Sequence, residues 1–221
     1  MPIEIKKRFF TSLILFSLLL AMYFYSFIMI TSLIIITTII WVEFYALISK
    51  ILIKDSFSNK FFRFLFKLIS LLYLLILVYF IFLIESHFID LKIYLVYSIL
   101  VAILSDIGGL VFGKTFKGKK LTKISPNKTV SGSVGSFIFS LILIPIYYNV
   151  LNIDYNFLVL IIITILISLT SQLGDLFISY LKRKAKVKNT SDLLPGHGGF
   201  LDRVDGIIFA IPIGILLFKL F

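Results

Sequence analysis

Apolar residues fall in runs of 17 to 23 positions, at about 9–26, 27–48, 64–84, 91–112, 133–151, 156–178 and 205–221, and the polar residues gather between them. Coiled as a helix at about 1.5 Å per residue, such a run covers roughly 30 Å of hydrocarbon, and it is too long for a barrel strand. Backbone amides cannot stay unpaired in lipid, so each run is predicted to be a helix. The expected fold class is all-α: a polytopic helical membrane protein with about seven transmembrane helices. The first run follows Lys6, Lys7 and Arg8, as in a signal peptide. No small-residue cleavage site follows it and another run begins at once, so it is read as a retained helix.

Composition supports that reading. Of 221 residues, 60% are hydrophobic and 15% charged, and the mean hydropathy is +1.08. A soluble domain averages about 25% charged residues, so soluble, disordered and fibrous classes drop out. The net charge of +11 would suggest a nucleic-acid partner in a soluble protein. Here the basic residues occupy alternate connections: the N-terminal tail, 49–63 (Lys50, Lys54, Lys60, Arg63), 113–132 and 179–204. The intervening loops carry Glu85, Asp90 and Lys92, or Asp154 alone. An odd number of spans with the N-terminus inside puts every basic loop in the cytoplasm, and no nucleic acid is needed to explain the charge. Cysteine is absent, which removes disulfides and thiolate metal sites.

Within a single integral membrane unit, residues 1–90 are expected to supply N-terminal helices and residues 91–221 the catalytic region, with its cytoplasmic loops 113–132 and 179–204. The second region holds most of the glycines and the polar groups that lipid does not explain. Asp106 (in SDIGG) and Asp175 (in SQLGD) each lie near the expected cytoplasmic end of a span. A carboxylate there is costly unless it faces a cavity, a cation or a partner, or snorkels or caps a helix. Glu43, in WVEFY, is a weaker candidate that could simply meet a basic loop.

The loop 113–132 reads GKTFKGKKLTKISPNKTVSG, basic, hydroxyl-rich and without acidic residues. Ser125, Lys128 and Thr129 are suited to cradle phosphate oxygens. A loop that only meets anionic headgroups has the same composition. The next loop reads SYLKRKAKVKNTSDLLPGHGGFLDRVD from Ser179 to Asp205. Lys182 and Arg183 follow Asp175 on one helix, and Pro195 with the glycines around His197 forces a turn. Asp202 and Asp205 are spaced i, i+3, on one face as the last helix begins. Carboxylates clustered without His or Cys partners favour a hard, oxygen-preferring ion such as Mg²⁺, and with no second His close by His197 is not expected to be a ligand. His197 could be a base, a phosphate donor or a turn residue.

Taken in order, Ser179, Leu181, Lys182, Arg183, Pro195, His197, Gly198, Gly199, Asp202, Arg203 and Asp205 resemble the signature of the phosphatidate cytidylyltransferases, the CDP-diacylglycerol synthases. SPNKT at Ser125 to Thr129 and the pair Gly174 and Asp175 are similar to that family's other segments. The resemblance covers about 100 residues strongly, and the first half only through span count and the Glu43 region. Asn189 stands where the signature usually has an acidic residue, and Ser131 and Ile178 stand where many members carry Glu.

The resemblance implies that a phosphate oxygen of phosphatidate attacks the α-phosphorus of CTP, giving CDP-diacylglycerol and pyrophosphate. It assigns Asp175 and Asp202 to Mg²⁺ and Asp205 to a second cation such as K⁺. Lys128, Lys182, Arg183 and Arg203 would hold phosphates, Ser125 and Thr129 would hydrogen-bond them, and Asp106 would contact cytidine or its surroundings. The nucleophile is already ionised, so His197 positions rather than abstracts. The expected partners are CTP, phosphatidate and membrane lipid, with a homodimer allowed and no nucleic acid. The expected setting is a bacterial inner membrane with the active site cytoplasmic. Two rivals remain: a CTP-dependent transferase for another lipid acceptor, and a cation transporter using Asp106 and Asp175.

Overall fold

The computed structural model describes residues 3–53, 56–150 and 156–221. Lys54 and Asp154, which entered the charge pattern, and Leu151 at the end of the fifth run lie outside the described residues. The helices are α1 (Ile3–Phe24), α2 (Ser26–Ile51), α3 (Phe57–His87), α4 (Lys92–Phe116), α5 (Val130–Leu141), α6 (Leu143–Val150), α7 (Phe157–Lys184), α8 (Leu201–Val204) and α9 (Ile207–Leu220). Among the described residues the only strand-like pairings are two isolated bridges, Lys120 with Thr129 and Leu194 with Gly198. The protein is the helical membrane protein that its apolar runs predict.

Among the described residues, five stretches are long and apolar enough to cross a membrane: Ser26–Ile51, Phe57–His87, Ile89–Phe116, Val130–Tyr148 and Phe157–Lys184. The first and last runs are shorter. The apolar part of α1 is Phe9–Phe24, and the 14 residues of α9, with Pro212 inside, reach only about 21 Å. The fifth run is divided between α5 and α6. Pro145 has no N–H for the Leu141 carbonyl, and the Ile142 N–H turns instead to the Phe139 carbonyl, 3.2 Å away. Helix α7 runs past the expected end at 178 to Lys184, because Lys182, Arg183 and Lys184 suit the negative end of its dipole. Asp175 therefore lies well inside α7.

The chain forms two compact units, Met1–Phe88 with Leu181–Val204, and Ile89–Tyr180 with Asp205–Phe221. In the first, α2 packs against α1, α3 and α8. In the second, α4 is central and packs against α5 and α9. The α4–α5 contact is made of glycine. A Cβ on Gly108 would strike the Gly135 carbonyl, and one on Gly132 would come 2.8 Å from the Gly109 carbonyl. Such small residues let two backbones meet where lipid gives no hydrophobic drive. Tyr97, Leu160, Ile163, Ile167 and Ala210 belong to the buried core of this unit. A hydroxyl seam runs through it: Tyr97 meets Thr164 at 2.5 Å, Ser105 meets Ser168 at 3.0 Å, and Ser136 donates to the Ser105 carbonyl at 2.7 Å. Each such bond contributes roughly 0.6 kcal/mol inside a membrane.

Candidate active site

In the second unit, the loop after α4 folds on its own backbone. The SPNK segment is a tight turn closed by the Lys128 N–H on the Ser125 carbonyl at 3.0 Å, with Pro126 at the position that fixes φ. Leu121 N–H donates to the Lys128 carbonyl at 2.8 Å, and Val130 N–H to the Lys119 carbonyl at 3.0 Å. Thr129 is the N-cap of α5, where its Oγ1 accepts the Gly132 N–H at 3.0 Å. This framework delivers the Lys128 ammonium to Asp175 Oδ2 on α7 as an ion pair. The other carboxylate oxygen of Asp175 accepts the Ser179 hydroxyl at 3.2 Å, one turn further on.

In the first unit, α7 ends in a cap. Lys186 takes a positive φ of 55°, Val187 N–H reaches back to the Lys182 carbonyl at 3.0 Å, and Lys186 N–H to the Arg183 carbonyl at 3.1 Å. The chain then turns at Leu194–Pro195–Gly196–His197, where His197 N–H donates to the Leu194 carbonyl at 2.8 Å. Gly196, at φ 77°, supplies the left-handed conformation such a turn requires. Gly199 has a different reason to be glycine, because a Cβ there would strike the Thr190 hydroxyl and the Glu43 carboxylate.

Two carboxylates, Asp202 and Glu43, hold the turn. Asp202 Oδ2 accepts the Thr190 N–H at 2.8 Å, the Thr190 hydroxyl at 3.0 Å and the Gly199 N–H at 3.0 Å. Its Oδ1 accepts the Lys182 ammonium at 2.7 Å, and the Asp202 side chain is 8% exposed. Burial pushes the Asp202 carboxyl up, but the Lys182 ammonium and the Thr190 and Gly199 amides outweigh it and hold the carboxyl below the ordinary value. Glu43, buried on α2, accepts four donors: the Thr190 hydroxyl at 2.8 Å, the Ser191 hydroxyl at 2.6 Å, the Phe200 N–H at 3.1 Å and the Leu201 N–H at 2.8 Å.

The remaining predicted site residues are placed as follows. His197 lies against α1, Nδ1 on the Thr11 hydroxyl and Nε2 3.3 Å from the Ser12 hydroxyl. Arg203 is exposed, and its Nε donates to the His197 carbonyl at 3.0 Å. Arg183 is exposed, Ser125 is half-buried, and Asp106 lies on the exposed side of α4. Asp205 is buried, and its Oδ1 accepts the Gly206 N–H at 3.0 Å. That local bond competes with the helix ladder, so α8 stops at Val204 and α9 starts at Ile207. Asp202 and Asp205 therefore do not share a continuous helix, as their spacing suggested.

Among the described residues, no group of three Asp, Glu, His or Cys side chains is close enough to hold a metal. Oxygen is nevertheless the only donor type at Asp175, Asp202 and Ser179, which suits Mg²⁺ in chemistry. At both aspartates a lysine ammonium already neutralises the carboxylate. Sequence reasoning undervalued Glu43 and passed over Thr190, Ser191, Thr11 and Ser12. An ionisable residue in an apolar run is the signal that marks Glu43. The α1 hydroxyls carry no comparable signal.

A polytopic helical membrane protein with two basic loops and two lysine–aspartate pairs, Lys128 with Asp175 inside α7 and Lys182 on the last turn of α7 with Asp202 on α8, is the class that fold and site define. The model of the cytidylyltransferase family matches residues 3–221, and the chain belongs to that family. It is similar to the phosphatidate cytidylyltransferase of Staphylococcus haemolyticus, 41% identical over 129 residues, 58% of this chain and 50% of that one. It is also similar to that of Bacillus subtilis, 40% identical over 129 residues (58% and 48%), and to that of Staphylococcus saprophyticus, 44% identical over 131 residues (58% and 50%). The chain spans about half the length of the curated relatives it matches.

Proposed function

We propose that the protein transfers CMP from CTP to phosphatidate, releasing pyrophosphate and leaving CDP-diacylglycerol in the membrane. The observation that carries this reading is the pair of lysine–aspartate contacts, Lys128 with Asp175 and Lys182 with Asp202. Both reactants are polyanions, and their reaction needs cations that are positioned but not consumed by the fold. An ammonium held by a carboxylate is such a cation, since it can turn to a phosphate oxygen when one arrives. The names of the curated relatives supply the substrates.

Asp175, Asp202 and Asp205 are the residues that would hold Mg²⁺ and a second cation. When bound, Mg²⁺ supplies charge neutralisation on the phosphates. The chain's own part is binding and orientation. Lys128 and Lys182 turn to phosphate oxygens, Arg183 and Arg203 add exposed charge, and the 194–199 turn fixes the approach to Asp202. His197, engaged with α1, anchors that turn. The alternation of basic loops supports a cytoplasmic site, where CTP and the headgroup of an anchored lipid can both arrive.

The test is incorporation of radiolabelled CTP into lipid by the purified protein with Mg²⁺ and a panel of acceptors: phosphatidate, a polyprenyl phosphate and diacylglycerol. Label in CDP-diacylglycerol with phosphatidate alone is expected. Label in the polyprenyl product instead would replace the acceptor, and ion flux in liposomes without CTP turnover would replace the class.

A further inference from the structure

Glu43 is a buried carboxylate of the N-terminal helices that the proposed reaction does not use, and it is the acceptor for four hydrogen bonds. It is 5% exposed on a helix of candidate membrane-spanning length. A carboxylate so buried is retained only if its lone pairs are filled. Here all the fillers come from one short stretch, 147 to 158 residues later in sequence: two hydroxyls and two backbone amides between Thr190 and Leu201. Phe200 and Leu201 offer the amides at the start of α8, which would otherwise point into a dry interior unpaired. The Thr190 hydroxyl lies 2.8 Å from Glu43 Oε2 and 3.0 Å from Asp202 Oδ2, so one side chain ties the two carboxylates together.

We propose that Glu43 is a positioning residue: it shapes the 190–201 turn and, through Thr190, sets the orientation of Asp202. A bland reading would have Glu43 merely meet a basic loop. None of its four donors is basic, and Lys182, on the last turn of α7, goes to Asp202 instead. Glutamine keeps the size of Glu43 but places an NH₂ against one of the two backbone amides, which can only donate, so Glu43→Gln should release at least one of the four bonds and force the hydroxyl on that side to turn round and accept. The consequence for Mg²⁺ rests on the proposed function; the consequence for the turn does not.

Two readouts separate these. The first is limited trypsin digestion in detergent, comparing cleavage after Lys186 and Lys188 with cleavage after Lys119 and Lys120 in the same molecules. Glu43→Gln and Thr190→Val should each raise the ratio about tenfold, as local opening becomes easier, while Thr190→Ser keeps the parent pattern. Ser191→Ala, which removes one donor and adds no repulsion, should give a smaller rise and serves if Glu43→Gln does not fold. An unchanged ratio in Glu43→Gln and Thr190→Val would overturn the proposal. The second readout is Mn²⁺ binding by loss of its free paramagnetic signal, with kcat and KM for CTP measured beside it. Weaker Mn²⁺ binding and a lower kcat in Glu43→Gln, with Thr190→Ser near parent, are expected. Parent-like Mn²⁺ binding in a loosened turn would remove the link to Asp202. If the parent forms no CDP-lipid, the proposed function falls, while the digestion still decides the role of Glu43.

Discussion

The loop from Lys117 to Thr129 is organised by its own backbone, whereas the loop from Ala185 to Phe200 is organised by two carboxylates, Glu43 and Asp202, that stand outside it. Each nevertheless adjoins a lysine–aspartate pair, Lys128 with Asp175 for the first and Lys182, on the last turn of α7, with Asp202 for the second. Lys114, Lys117, Lys119, Lys120 and Lys123 are exposed, and only Lys128 turns inward to an aspartate. Lys184, Lys186 and Lys188 are exposed, and Lys182 turns inward. The outward lysines are what retention of positive charge on one side of a membrane requires, and any of them is replaceable by another. The inward ones are individually placed. The two pairs differ in burial, with side chains 27% and 24% exposed for Lys128 and Asp175 against 12% and 8% for Lys182 and Asp202.

The largest effects should come from the aspartates. Asp175→Asn and Asp202→Asn keep shape and lose charge, and each is expected to lower Mg²⁺-dependent CDP-lipid formation by about 100-fold or more, the scale of losing one electrostatic partner at a reacting centre. If both act on one ion, the double mutant should be scarcely worse than either single mutant. Near-native turnover in one of them would show that its lysine pair is structural only, and losses that multiply would argue for separate roles.

Removing the lysines tests the difference in burial. Lys128→Met breaks a half-exposed pair, whose contribution to stability is below about 1 kcal/mol, so activity should fall while the thermal midpoint in detergent hardly moves. Lys182→Met leaves the Asp202 charge in a nearly closed site, and an uncompensated buried charge costs on the order of 3 kcal/mol. It should lower both activity and midpoint. Equal midpoints for the two variants would mean that the three hydrogen bonds on Asp202 Oδ2 suffice without the ammonium.

Much of this was legible before the structure. Length and apolarity locate the helices because lipid leaves the backbone no alternative, and the charge of each loop separates it from the spans. Asp175, Lys128, Lys182 and Asp202 stand out as polar residues that lipid does not explain. What pairs with what is another matter. Glu43 and Thr190 are 147 residues apart, and no local periodicity encodes a hydrogen bond between a membrane helix and a late turn. The break between Asp202 and Asp205 was hidden for the opposite reason: i, i+3 spacing means one face only if the helix continues, and Asp205 bonds its own neighbour instead. The glycines of α4 and α5 sit in apolar runs whose pattern does not say which helices meet, and at Gly108 and Gly135 their use is close packing.

Acid should act unequally on the parent and on Asp202→Asn. The Asp202 carboxyl is held below its ordinary value in the folded protein. A depressed carboxylate stabilises the fold above its unfolded pKa of about 3.9, and that contribution is lost as pH falls through the lower folded value. In EDTA, the gap in thermal midpoint between parent and Asp202→Asn should stay constant above about pH 5 and close only below about pH 4. A gap that closes well above pH 5 would mean that the Lys182 ammonium does not hold Asp202 ionised.

The smallest expected effect concerns how each loop leaves its helix. Both departures are made by a lysine at positive φ, Lys117 at 50° after α4 and Lys186 at 55° after α7. At Lys186 the two reverse hydrogen bonds place the residue where helices usually carry glycine. A side chain there costs about 1 kcal/mol in strain, and glycine offsets part of its gain by the entropy it brings to the unfolded chain. Lys186→Gly should therefore raise stability by a few tenths to about 1 kcal/mol, at most a rise of roughly 2–4 °C in thermal midpoint. Turnover should not change, because this lysine is one of the outward set. Lys117 pairs its positive φ with a ψ of −137°, a region that glycine enters far more readily than any other residue. Lys117→Gly should stabilise at least as much as Lys186→Gly. If Lys186→Gly instead lowers turnover while raising the midpoint, the exposed lysines of the second loop are not interchangeable, and the division between inward and outward charge fails there.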